Sequence, residues 1–372
     1  MTALNPAFIG VKEIKTLQQA KPSRFIVLKR LFNALTEVIS PFPITVTSIS
    51  DNGDYADAAS LEIRKRILDI NAILSILTGR KAPEVLYHDI PSQDWRAGAF
   101  DIAQITRDTV RGAGNIVFLN CAPRLKQRGV DKNNKGESVY VGIHRNGTVI
   151  SAVSEDSFAL FRDLVEQGDL EIYKANVQIK GSQFRSRDFF TWFSQLLAFN
   201  LGAQRGKWKA GLSVAERRAL LAKCDFIDTA QKLAPEDIRD LKKESWILRA
   251  DCHGNLKLSL REAGVPAEQR NIPVAIRIRD RTIEAVIRDG MFDTQGGAIG
   301  IAPGSSGNWP DSAEGRFLEI ALIGASLRDE WNITAQQLKE GVGVEILGPA
   351  SDADAPLPSS IVRALERPAL NS

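Results

Sequence analysis

The chain has 372 residues, 44% hydrophobic and 25% charged, which at about 100–200 residues per domain predicts two folded domains and excludes a largely disordered chain. Forty-eight Lys plus Arg against 45 Asp plus Glu leave +3 spread along the chain, with no basic stripe of the kind nucleic acid requires. No apolar run approaches the roughly 18–20 residues of a bilayer span, so neither nucleic acid nor membrane is an expected partner. The opening MTALNPAFIGVKEIKTLQQAK lacks a basic segment followed by an apolar one, so no secretory signal is expected. Three scattered cysteines, Cys121, Cys224 and Cys252, suit a reducing compartment. The expected location is cytoplasmic. His88, His144 and His253 show no ligand spacing, so no metal site is expected.

Residues 1–43 read as an N-terminal helical arm. Within it Pro22–Ile39 sets Phe25, Leu28, Phe32 and Leu35 at spacings of 3–4, and Ser40-Pro-Phe-Pro43 ends the helix. Residues 44–204 read as an α/β domain, a mixed sheet flanked by helices. The β-branched run Ile44–Ile49 is its first buried strand and runs into the turn-rich Ser50-Asp-Asn-Gly-Asp54. Asp57–Leu77 is an amphipathic helix, Glu84–Tyr87 a strand, Asp94–Val110 a helix and Asn115–Cys121 a strand, the alternation of an α/β layer. Val139–Ile143 and Val149–Val153 form a hairpin around Asn146-Gly147. Phe158–Glu166 and the strongly apolar Phe189–Leu201 are helices. Residues 205–243 are a charged helical connector in which Ser213 and Glu216 have capping-box spacing. Residues 244–349 hold short strands at Trp246–Ala250, Leu256–Leu260, Val274–Ile278 and Val344–Leu347, a smaller, mainly β domain. Residues 350–372, rich in Pro, Ala, Asp and Ser, are expected to be a mobile tail.

In an open α/β sheet, ligands collect outside the carboxyl ends of the strands. Ser50–Gly53, His88–Pro91, Asn120–Pro123 and Phe184–Asp188 have the right positions. Asp51 is either a ribose-binding carboxylate, able to accept both hydroxyls of a cis-diol, or the residue of an Asx-turn. Arg185, Arg187 and Asp188 are either ligand contacts or a surface ion network. Asp251-Cys-His-Gly-Asn255 is, on composition alone, a tight turn between strands.

Taken in order, these loops resemble the S-adenosyl-L-methionine (SAM) hydroxide adenosyltransferases and the related SAM-dependent fluorinases and chlorinases. The likeness rests on Ser50-Asp51-Asn52-Gly53 for the (T/S)D(F/L)G loop and on His88-Asp-Ile-Pro-Ser-Gln-Asp94-Trp-Arg-Ala-Gly-Ala99-Phe100 for HxIxxxDxxxAAF. Phe184-Arg185-Ser186-Arg187-Asp188-Phe189-Phe190 matches F(H/Y)(G/S)R(D/E)xF. In the second domain, Asp251–Asn255 matches DxFGN, Gly304-Ser305-Ser306-Gly307 the GSxG-like turn, and Leu318–Ala321 with Ala325-Ser326 the LEIAxxxxSA segment.

The resemblance implies a SAM site between one chain's first domain and a neighbour's second in a homotrimer, with no cofactor beyond SAM itself. By position Asp51, in the loop with Asn52, would hold the ribose diol. Asn255 would contact the adenine and Phe292 would stack on it. Asp251 and the Ser305-Ser306 turn would hold the methionine ammonium and carboxylate. His253 and Lys257 replace aromatic residues of the family pattern.

The family's water-activating Asp–Arg–His set is not kept. Its Asp falls on Ala122, its Arg near Arg128 or Gly129, and its His on Arg185, while Ser186 takes the place of the serine offered to halide. The family's PDNG loop is replaced by Val153–Ser157. Arginine is a very poor base. The implied chemistry is therefore displacement at C5′ by a nucleophile other than water, with Arg185, Ser186 and Arg128 as catalytic candidates. A small Ala122 beside a cationic Arg185 suits a larger anion such as a carboxylate. Two readings stand beside it: a protein that binds SAM or adenosine without turnover, and a structural or interaction protein on the same fold.

Overall fold

The computed structural model describes residues 44–51, 58–91, 94–108, 114–121, 138–175, 186–204, 206–221, 230–241, 245–304 and 315–350. The arm and the tail beyond Ala350 lie outside the described residues, as do Asn52, Ala122, Arg128, Arg185, Ser305, Ser306 and the side chain of Ser186.

Strands β1 (Thr45–Ser50), β2 (Glu84–Asp89), β3 (Asn115–Asn120), β4 (Tyr140–His144), β5 (Thr148–Ala152), β6 (Leu170–Lys174) and β7 (Gln231–Lys232) form one sheet in the order β2-β1-β3-β5-β4-β6-β7. β2, β1, β3 and β5 run parallel, whereas β4, β6 and β7 join antiparallel. β1, β3, β4 and β5 are buried almost throughout, as strands covered on both faces must be. Helix α1 (Ala58–Thr78) joins β1 to β2, and α2 (Trp95–Asp108) joins β2 to β3. Helix α3 (Arg162–Glu166) precedes β6, and α4 (Thr191–Ala203) follows a π-type turn at Ser186–Phe190. Helix α5 (Val214–Leu221) follows.

The expected mixed α/β layer is present, with three differences in detail. Phe158–Glu166 is split into a 3₁₀ turn, Glu155–Phe158, and α3, because Ser154 caps the turn through the Asp156 N–H. β6 has no counterpart in the sequence reading. Part of the stretch read as a helical connector belongs to the first unit: β7 extends the sheet, and Leu233, Ile238 and Leu241 are buried in its core.

The second unit is more specific than a small β domain. Strands β8 (Trp246–Ala250), β9 (Leu256–Arg261), β10 (Pro273–Ile278), β11 (Arg281–Ile287), β12 (Ile299–Pro303), β13 (Phe317–Leu322) and β14 (Val342–Pro349) close into a seven-stranded barrel, β14 pairing with both β10 and β8. Its interior is apolar, with Leu256, Leu258, Val274, Ile276, Ile301 and Ile320 fully buried. Short helices α6 (Leu327–Glu330) and α7 (Ala335–Glu340) lie between β13 and β14.

The barrel packs by one side on the first unit's α2. Phe317 and Leu248 of the barrel are buried within the first unit's core. The Phe100 and Phe317 rings lie 5.1 Å apart at 54°. The Arg96 guanidinium stacks over Trp95 and Trp246 and donates to the Lys339 carbonyl at 2.6 Å. No helix among the described residues is long and apolar enough to cross a membrane. Phe317→Ala is expected to cost about 3–5 kcal/mol, the usual loss for emptying a buried aromatic site. A lowered urea midpoint checks this, and an unchanged midpoint would show that the contact does not join the two units.

Candidate functional site

The chain runs from β1 out to β2 and then back across β1 to β3, so the order β2-β1-β3 reverses direction beside β1. That makes the carboxyl ends of β1 and β3 a topological switch point, where α/β folds open a crevice. Asp51 stands there, its N–H donating to the Asn120 carbonyl at 3.1 Å. Cys121 follows β3 on the other lip and is buried. Burial pushes its thiol well above the ordinary value, and the Asp51 and Asp94 carboxylates push the same way. The thiol also hydrogen-bonds to Asp51, and the Lys339 ammonium from the barrel acts in the opposite direction.

The side chains around the His88 motif alternate as a strand requires. Asp89 faces α1, where Arg64 meets it at 2.6 Å and stacks over Tyr87. His88 faces α2, its Nε2 2.8 Å from Asp101 Oδ2. A carboxylate only accepts, so this contact places the proton of a neutral ring on Nε2 and leaves the lone pair on Nδ1. Asp101 is buried and bound to Arg249 of β8, whose Nη1 lies 3.3 Å from the same imidazole nitrogen. A half-exposed imidazole oriented by a buried carboxylate is an arrangement able to accept a proton. The sequence reading did not assemble it: Arg249 is distant in sequence, and no local spacing marks it.

The rest of that motif builds the fold. Ile90, Ala99 and Phe100 are core residues, and the Asp94 carboxylate caps α2 by accepting from the Ala97 N–H at 3.0 Å. Burial dominates Asp94 and raises its carboxyl above the usual range, against the Ala97 N–H and Arg96; Asp101 adds to the rise and Arg249 opposes it.

On the barrel, Asp251 organises the turn between β8 and β9. Its Oδ1 accepts from the His253 and Asn255 N–H groups at 2.9 and 3.0 Å, and its Oδ2 from the Asn255 amide at 3.1 Å. Lys257 Nζ is 3.2 Å from the same Oδ2 and bonded to Glu319 across the strand pair. Burial acts upward on the Asp251 carboxyl, but Lys257 and the two backbone donors outweigh it and hold it below the usual range. Gly254 has φ +80°, and a Cβ there would stand 2.0 Å from Ser326 Oγ, so this turn requires glycine. Gly304 packs near Glu319, the carboxylate that Lys257 also meets. Phe292 is fully exposed in a short turn before β12.

Barrel groups reach the crevice: Lys339 acts on Cys121 beside Asp51 and Asp94, and Arg249, two residues before Asp251, pairs with Asp101 and acts on Asp94. Arg187 and Asp188 form a surface ion network, paired with each other and with Glu62 of α1 at 2.6 Å. Among the described residues no group of His, Cys, Asp and Glu is arranged to hold a metal.

No family model and no curated protein matches this chain. The crystal structure of an uncharacterized conserved protein from Thermotoga maritima is similar at TM-score 0.52 and 14% identity, covering 81% of this chain and 99% of that one. That of a conserved hypothetical protein from Thermus thermophilus gives 0.49 and 17%, covering 82% and 99%. The first likeness shows a shared fold.

The local electrostatics generate two predictions. A carboxyl raised in the folded state favours folding at low pH and loses that advantage as pH rises through its folded value. Asp94→Asn keeps a capping oxygen without the charge. Its melting temperature relative to the parent should therefore rise between pH 4 and pH 8; a fall would mean that the donors around Asp94 outweigh burial. Lys257→Met strands two partly buried carboxylates and should cost on the order of 3 kcal/mol by urea denaturation. A change near zero would make this a solvated surface group.

Proposed function

We propose that the protein binds SAM and breaks its C5′–S bond by displacement at C5′, transferring the adenosyl group to a nucleophile other than water. The nucleophile's electron pair forms the new bond to C5′. The C5′–S pair returns to sulfur, and the sulfonium leaves as neutral methionine. Such chemistry asks the protein mainly to orient the nucleophile and strip it of water.

The observation that carries this reading is Asp51 at the switch point of the sheet, where a carboxylate suits a ribose diol. Arg185, Ser186 and Arg128 are proposed to act on the nucleophile. Asn52 belongs to the ribose loop, and Asp251, Asn255, Ser305, Ser306 and Phe292 are proposed to bind the adenine and methionine ends.

The resemblance to the SAM hydroxide adenosyltransferases requires a site shared between two copies of the chain. A fully exposed Phe292 fits the same requirement. We therefore propose a homotrimer with sites between subunits, in the cytoplasm. The alternative, an adenosine or SAM binder without turnover, is favoured by one observation: both Asp251 oxygens are already occupied, one by Lys257.

The test is incubation with SAM, with and without halides and small carboxylates, followed by chromatography and paired with calorimetry. A new adenosyl adduct with methionine supports the proposal. Adenosine would mean that water is used, binding without turnover would select the alternative, and no binding would leave a structural role. Asp51→Ala should weaken SAM binding about 10–100-fold, since a hydrogen bond to a charged group contributes roughly 1.5–3 kcal/mol. Unchanged affinity would remove Asp51 from the site.

A further inference from the structure

Helix α1 is apolar on two sides. Its inner face buries Ile63, Ile67, Ile70 and Leu74, the last two packing with Phe199 of α4. Its outer side carries Leu61, Leu68, Ile73 and Ile76, with Ile76 83% exposed. Leu61, Leu68 and Ile76 recur at 7 and 8 residues, so they share one face, and Ile73 borders it; Leu77, 75% exposed at the helix end, continues the inner stripe. The exposed Lys65–Asp69 ion pair flanks this row, and three apolar residues aligned along about four turns are more than single exposed side chains.

The chain itself holds a matching element. Residues 1–43 precede β1, and within them Pro22–Ile39 presents Phe25, Leu28, Phe32 and Leu35 on one helical face. The attachment point is close. The Ile44 carbonyl accepts from the Glu84 N–H at 3.0 Å, and only residues 79–83 separate Glu84 from the end of α1. The arm therefore joins the sheet at the edge where the most exposed residues of α1, Ile76 and Leu77, lie.

Lengths agree as well. An 18-residue helix and the 21-residue α1 measure about 27 and 31 Å. The four residues from Ser40 to Pro43 reach about 14 Å. Tethering also makes the contact intramolecular, at millimolar effective concentration for a short linker. We propose that residues 22–39 dock as an amphipathic helix on the outer face of α1 of the same chain.

The experiment uses the full-length protein carrying C224S and C252S, so that the buried Cys121 is the remaining native thiol. L28C and I76C are added, and a short bis-maleimide is applied at low protein concentration. Peptide mass spectrometry of the monomer band should find the two positions linked within one chain. Mixing isotope-labelled and unlabelled protein identifies links between chains, which would overturn the proposal in favour of a second copy on this face.

Limited trypsin digestion supplies a second readout. Cleavage after Lys29 and Arg30 should run about tenfold faster in the L68E/I76E variant, because proteolysis follows the undocked population. Equal rates together with no crosslink would also overturn the proposal, leaving the face to another partner. Neither readout depends on SAM, so the outcome is independent of the proposed activity.

Discussion

The buried Asp101 carboxylate and the Arg249 guanidinium that meets it hold the two units in one arrangement. Asp101 lies on α2 of the sheet layer and Arg249 on the first strand of the barrel, and removing either partner leaves a poorly hydrated charge behind. The contact sits in a broader seam. Phe317 enters the first unit's core beside Phe100, and Arg96 lies between Trp95 and Trp246 while holding the Lys339 carbonyl. The apolar part of the seam supplies the affinity of one unit for the other, and the ion pair sets its register along α2.

The same seam brings Lys339 into electrostatic range of Cys121, beside Asp51 and Asp94, and Arg249 into range of Asp94. The crevice is organised by the crossing of the chain over β1, and the turn by the Asp251 carboxylate with its backbone donors.

Much of the first unit was legible in the sequence because its central strands are buried, β-branched runs and its helices carry a 3.6-residue period. Ile44–Ile49 and Asn115–Cys121 fall within a residue of β1 and β3 for that reason. The barrel was only half legible. β11 to β13 are interrupted by turns and short 3₁₀ segments, and closure depends on β14 meeting β10, a pairing of distant residues that leaves no local mark. Asp51 was legible as a position, since a strand followed by SDNGD announces the sheet edge. Its thiol neighbour Cys121 and the His88–Asp101–Arg249 cluster were not, because each is made by residues from different elements.

The motif that most resembled a functional signature is occupied chiefly with building the fold. Ile90 and Phe100 fill the core and Asp94 caps α2, while His88 is tied to Asp101. The Asp251 and Gly254 pattern likewise closes a turn that no other residue at Gly254 would allow. Residues without structural duties are the ones that speak to function. Phe292 is the clearest of these: its side chain is fully exposed, so the fold itself does not call for an aromatic residue there.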